Sequence, residues 1–312
     1  MKQAIRSCLS VGLALAAAAA LALPGLVHAQ QQLGNKVLGT AGIDAGSQRP
    51  PGLYLADRFA WYHANELVDR EGAEVPVGLD LDVVANAIGL ALTLEIAPID
   101  TFVNLSVAVP VARIRSNTER PEASVDNLGF ADLYVQPLGL GWQLPGADLV
   151  TSYGFYAPTG RSAPGSGGVG RGQWTHQFSA GGTIYLATRR SWRFSLLGSY
   201  ERNQKKRDVD ITRGDTLQLQ GGFGGPVHPA VNVGLAGYAL WQVEDDSGAD
   251  LPPILRGARD RAFGVGPEVS VLVPPIRSRF GARYEHDLSV RSRPWGGILL
   301  LEFTFLAWSP ER

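Results

Sequence analysis

Apolar and polar side chains alternate with a period of two in segment after segment between about residue 52 and residue 306. Successive side chains of a strand point to opposite faces, so such alternation predicts strands with one apolar and one polar face. The clearest case is 279–288, where Arg279, Gly281, Arg283, Glu285 and Asp287 share one face and Phe280, Ala282, Tyr284, His286 and Leu288 the other. In 192–201, Trp192, Phe194, Leu196 and Tyr200 oppose Arg193, Ser195, Ser199 and Glu201; in 215–223, Leu217, Leu219 and Phe223 oppose Thr216, Gln218 and Gln220. Val103, Leu105, Val107, Val109 and Val111 likewise oppose Asn104, Ser106 and Ala108. Even the apolar run obeys, with Ile88, Leu90, Leu92, Leu94 and Ile96 opposite Ala87, Gly89, Ala91, Thr93 and Glu95. The pattern predicts about twelve strands.

The connections between them sort by length in strict alternation. Long ones are expected at about 63–78, 113–127, 158–172, 202–214 and 244–260, with a medium one from Ser289 to Pro294. Short ones are expected at Pro98-Ile99-Asp100, Leu144-Pro145-Gly146, Thr188-Arg189-Arg190-Ser191, 225–229 and Pro274-Pro275-Ile276. Turns on one rim and loops on the other characterise a closed antiparallel barrel in an outer membrane. A water-soluble sheet with a solvated polar face is the plain alternative, but it would have to bury every apolar face in one core. Aromatics also stand near many strand ends (Trp61, Tyr62, Trp142, Trp174, Trp192, Trp241 and Trp295), where membrane girdles occur. The fold expected is therefore all-β: an antiparallel up-and-down transmembrane β-barrel, closed because an unpaired edge is not tolerated in lipid.

The N-terminus supplies the compartment. Lys2 and Arg6 precede an apolar, alanine-rich run from Leu9 to Leu23, and Val27-His28-Ala29 precedes Gln30. This predicts a signal peptide over 1–29 cleaved after Ala29. Cys8, the single cysteine, lies inside it, so the mature chain has no disulfide or thiol chemistry. Without Lys2 and Arg6 the 28 cations become 26 against 29 anions, a net charge of −3. That near-neutral balance argues against a nucleic-acid partner. The rest divides into a periplasmic lead or partial plug over 30–51, the barrel over 52–306, and a tail over 307–312 expected in the periplasm. Terminal Leu299, Leu301, Phe303 and Phe305 resemble the signal read by the outer-membrane insertion machinery, although Ala307 to Arg312 run past it.

Several stretches carry a family resemblance. They are Gly129 to Pro137 (GFADLYVQP), Ala157-Pro158-Thr159-Gly160 with Gly172-Gln173-Trp174, and Gly237 to Gln242 followed by Glu244-Asp245-Asp246. Phe263 to Pro267 and Arg283-Tyr284-Glu285-His286-Asp287 with Arg293 to Gly297 complete the set. In this order they resemble the MetA-pathway of phenol degradation family of outer-membrane proteins over about 80–305. The resemblance implies an integral barrel of a diderm outer membrane, in contact with its lipid, and uptake of small hydrophobic or aromatic solutes.

A roughly twelve-stranded barrel has a narrow lumen, and inward charges set its preference among solutes. The candidate lining is Asp132, Gln136, Gln177, Arg193, Glu201, Gln218, Gln220, Gln242, Glu268, Arg283 and Glu285. Arg283 and Glu285 share a face and are free to pair with each other or with neighbouring strands; the whole set reads equally as a salt-bridge network filling the lumen. The Gly160–Gly172 loop reads as a surface loop before it reads as a gate. An enzyme is the alternative from another class. The mature chain offers only His63, His176, His228 and His286, with no His-x-Ser pair of the deacylase kind, and alternation puts His286 and Asp287 on opposite faces. No metal-ligand cluster is visible, Gly264-Val265-Gly266 lies within a strand and is no nucleotide loop, and no cofactor is implied. The function expected is a passive channel for small molecules. A structural barrel with a closed lumen is the main rival, then a soluble periplasmic sheet protein.

Overall fold

Strands long enough to cross a membrane and flanked by tight turns have one stable arrangement, each antiparallel to the next, with the last returning to the first. The computed structural model describes residue 35 and residues 37–163, 166–186 and 191–310. The predicted signal peptide and most of the 188–191 turn lie outside them. Fourteen strands follow in chain order: β1 (Gly52–Val68), β2 (Glu74–Val75), β3 (Asp80–Ile96), β4 (Thr101–Glu119), β5 (Glu122–Phe130), β6 (Leu133–Leu144) and β7 (Ala147–Ala157). The second half is β8 (Thr175–Tyr185), β9 (Arg193–Asn203), β10 (Thr216–His228), β11 (Val231–Gln242), β12 (Arg261–Val273), β13 (Ser278–Arg291) and β14 (Arg293–Trp308).

Each wall strand pairs antiparallel with its neighbours, and β14 closes on β1 from Leu53 opposite Trp308 to Val68 opposite Arg293. β2 is a two-residue flap on β1. β5 and β6 are two halves of one stave, because β4 pairs with β5 over Val111–Glu119 and with β6 over Phe102–Ala108. The wall is thus a closed antiparallel barrel of twelve staves.

The predicted faces hold. Ile88, Leu90, Val109, Phe194, Phe223, Phe280 and Leu301 are exposed, while Ser195, Gln218, Gln220, Arg283 and Glu285 are buried. Exposed apolar side chains around a closed wall are what a lipid solvent requires, so the molecule is an integral outer-membrane barrel.

Several boundaries differ from the sequence reading. β1 runs on to Val68, into the expected 63–78 loop, and β10 runs to His228, into the expected 225–229 turn. Two connections and the C-terminal end change further. Residues 113–127, expected as a loop, form the upper β4–β5 hairpin, where Arg113 grips Asp126 in a two-pronged pair at 2.7 and 2.6 Å and Ser124 donates to Asn117 at 2.8 Å. Its polar composition concealed a strand because this part projects beyond the membrane. β4 has 19 residues, whereas about 9–11 span the hydrocarbon. The Ser289–Pro294 connection shrinks to Ser292 alone, which turns the chain with φ of 55°. At the C-terminus β14 continues to Trp308, two residues past Leu306, because Leu53 still offers a partner there.

Candidate functional site: the polar interior of the barrel

The inward face is polar on most staves, and a buried polar group needs a partner. Much of that partnership comes from the segment before β1. Its chain enters beside the loop rim, where Asn35 donates to Thr175 Oγ1 at 2.8 Å. Leu38 there joins the buried apolar group of Val68, Tyr238, Leu240, Ala262 and Val290. It then descends. Ala41 N donates to Gln220 Oε1 at 3.0 Å, Ile43 N to Glu268 Oε2 at 2.9 Å, Gly46 N to Ser195 Oγ at 2.8 Å, and Gln48 N to Asp148 Oδ2 at 3.1 Å. Gly39 O accepts from Arg283 Nη1. Glycine is required where the segment touches the wall. A Cβ at Gly42 would meet Glu268 and Arg283, and one at Gly46 would lie 2.3–2.5 Å from Gly182 backbone atoms.

The predicted lining residues fall into three groups. Arg193, Gln220, Glu268 and Arg283 contact the inner segment: Arg193 Nε meets Asp44 Oδ1 at 2.5 Å, and Arg283 Nε bonds Glu268 Oε2 at 3.0 Å. Gln177, Glu201, Gln218 and Gln136 bond along the wall. Gln177 Nε2 donates to Glu201 Oε1 at 3.0 Å, Gln220 Nε2 to Gln218 Oε1 at 3.2 Å, and Tyr134 Oη reaches Gln136 at 3.5 Å. Asp132 and Gln242 lie at the loop rim. Asp132 accepts from Gly160 N at 3.1 Å and Arg171 N at 2.8 Å, which latches the Gly-rich loop onto the β5–β6 break. Gln242 donates to Asp246 at 2.6 Å and accepts from Asp260 N at 3.2 Å. Glu285 stands apart, fully buried, with neither carboxylate oxygen hydrogen-bonded among the described residues and Gly39 packed over it. Arg283 pairs across to β12 and not along its own strand to Glu285.

Several interior residues were not singled out from the sequence. Asp287 gathers Tyr238 Oη at 2.6 Å, Tyr62 Oη at 3.3 Å and Gly296 N at 3.0 Å. Glu302 accepts from Arg58 at 2.8 Å. Asp148 accepts from Tyr185 Oη at 2.7 Å, and Arg279 meets Asp44 at 2.5 Å. Alternation marks Arg279, Asp287 and Glu302 as inward; nothing in it marks Asp44.

Three of the four described histidines have partners away from this lining, and His286 is exposed on the outer face of β13. His176 contacts Tyr153 Oη at 2.9 Å and Gln204 Nε2 at 3.0 Å, and His228 accepts from Ala230 N at 3.2 Å. On the outer face the β1–β3 ladder brings His63, Asp80 and Asp82 together, with ligand atoms within 4.8 Å of one another, a group too dispersed in sequence to be seen there. Asp82 already accepts from Trp61 Nε1 at 2.9 Å.

The model of the MetA-pathway of phenol degradation family matches residues 64–303. Among solved structures, an outer membrane channel from Pseudomonas putida F1 is similar with a TM-score of 0.74 and 13% identity, over 87% of this chain and 99% of that one. The transport unit of the autotransporter AIDA-I from Escherichia coli is similar with a TM-score of 0.52 and 9% identity, over 91% of this chain and 98% of that one. No curated protein matches by sequence. The matched span is most of the chain, and the chain belongs to the phenol-degradation family so described.

Proposed function

We propose that this member of the MetA-pathway of phenol degradation family is an outer-membrane channel for passive movement of small molecules, aromatic ones among them, with residues 35–51 as a displaceable plug. The observation that carries the reading is how the interior is filled. If the lumen were shut for good, wall side chains would pair wall to wall throughout, as Gln177 and Glu201 do. Here Arg193 donates to, and Gln220, Ser195 and Asp148 accept from, one segment that enters the wall only at Gly52. The neutral bonds, to Gln220 and Ser195, contribute about 0.5–1.5 kcal/mol net each and the two to charged groups about 1.5–3 kcal/mol, because water replaces them on release. Withdrawal therefore exposes polar groups that water satisfies. The eleven predicted residues then divide into a path lined by Gln136, Gln177, Arg193, Glu201, Gln218, Gln220, Glu268, Arg283 and Glu285 and a loop rim held by Asp132 and Gln242.

The test is bilayer conductance of the detergent-purified barrel, compared with a form lacking residues 30–47 and titrated with phenol and a polar control of similar size. Larger steady currents from the shortened form, reduced by phenol more than by the control, are expected. A folded shortened barrel without current would leave the structural barrel as the better reading.

A further inference from the structure

The tip of the inner segment has the form of a ligand. Residues 42–47 make two tight turns, with Ala45 N donating to Gly42 O and Ser47 N to Asp44 O. The tip presents two adjacent groups to the wall, an apolar one and a carboxylate. Ile43 is fully buried. It lies on a floor of glycines from β10 and β11: a Cβ at Gly222, Gly224 or Gly234 would sit 3.1, 3.0 or 2.6 Å from Ile43 Cγ2. Asp44 sits between two arginines from separate staves: Oδ1 accepts a hydrogen bond from Arg193 Nε and Oδ2 forms a close ion pair with Arg279 Nη2, both at 2.5 Å. The floor and the clasp adjoin, since Gly224 pairs with Arg193 on one side and with Gly234 on the other.

The arginines are held in place by the wall and not by Asp44 alone. Arg193 Nη1 donates to Ser191 O at 3.2 Å and approaches Asn232 Oδ1 at 3.4 Å, and Arg279 Nη2 donates to Ser270 Oγ at 3.0 Å. A pair of oriented guanidiniums persists when Asp44 leaves, and guanidinium–carboxylate recognition is directional and charge-assisted. Beside it lies a shallow slot that only the absence of side chains keeps open.

We propose that this slot and arginine pair form a binding site for small organic carboxylates with a flat apolar body, and that Ile43 and Asp44 occupy it as a built-in competitor. The proposal rests on the displaceable-plug reading and adds to it the class of solute. An aromatic carboxylate would place its ring on the glycine floor and its carboxylate between Arg193 and Arg279, releasing the tip. A tethered competitor acts at an effective concentration in the millimolar range, so a free carboxylate must reach that range to displace it. Removing Asp44 strengthens binding of the free acid.

Benzoate is the probe, with benzyl alcohol as the uncharged control, and the whole mature protein in detergent is the material. Equilibrium dialysis with labelled benzoate reads binding directly, and bilayer conductance reads opening. Asp44→Ala is expected to bind benzoate at least tenfold more tightly than wild type and to leave benzyl alcohol unchanged. Adding Arg279→Gln to Asp44→Ala is expected to reverse that gain while the barrel keeps its heat-modifiable migration. Equal binding of benzoate and benzyl alcohol, or benzoate binding indifferent to both substitutions, would overturn the carboxylate site. Tight benzoate binding to Asp44→Ala without current in any form would instead uphold the site and remove the channel reading.

Discussion

Lys206 sits in the loop after β9 with its side chain 9% exposed. Burial pushes its ammonium down to about 7, and the nearby charges of Arg171 and Arg213 add to the effect. The unfolded lysine titrates near 10.5, so the sign is fixed. Below about pH 7 the ammonium is charged in both states and the full penalty weighs on the folded loop. Between about 7 and 10.5 the folded state sheds the proton first and the loop gains stability as pH rises. Lys206→Met should therefore slow proteolysis of residues 204–215 most at pH 6, with the difference gone by about pH 10.5. A pH-independent difference would assign the effect to packing. Asp132 is the second residue-scale test. Its carboxylate serves two loop N–H groups, and leaving a buried donor unpaired costs about 1–3 kcal/mol. Asp132→Ala should cost the 158–172 loop protection at Gly160 and Arg171 in hydrogen exchange and leave the wall strands protected.

Among elements, the inner segment and the upper β4–β5 hairpin behave differently because one lives on tertiary contacts and the other on its own ladder. At Gly46 any side chain runs into the Gly182 backbone, which belongs to a wall strand and has nowhere to move. Gly46→Val should expel the segment and raise conductance severalfold without unfolding the barrel, as read from bilayer currents beside heat-modifiable migration; unchanged current would mean that the segment does not obstruct the path. The hairpin needs no such support. The pair Arg113–Asp126 is exposed on both sides, and exposed pairs contribute about 0–1 kcal/mol. Its nine-residue ladder from Val111–Phe130 to Glu119–Glu122 holds it. The same contrast explains what sequence reading found. Strand alternation identified nearly every wall element, and it passed over the hairpin only because polar residues on both faces look like a loop. The 158–172 loop, read as a surface loop, is pinned by Asp132, a residue whose role depends on a break in β5–β6 that no local pattern announces.

For the whole molecule, the surroundings decide which face is inside. Ile88 is 56% exposed near the middle of β3, and Leu128 is 65% exposed on β5 opposite Arg113 near the top of the lipid belt. An arginine costs about 2–4 kcal/mol at the bilayer midplane and about 0–1 near the interface. Ile88→Arg should lower folding stability in phospholipid vesicles by that larger amount, and Leu128→Arg by about 1 kcal/mol or less. Equal costs would place the belt elsewhere on the wall. Sequence alone determined the alternating strands and hence the closed barrel, because side-chain direction in a strand repeats every two residues and depends on nothing distant. Only the tertiary structure decided how the lumen is filled. Asp44 meets Arg193 and Arg279, and Gly39 covers Glu285, across separations of more than a hundred residues, and such partners are chosen by ring closure and by the need to satisfy buried polar groups together, which no local period records.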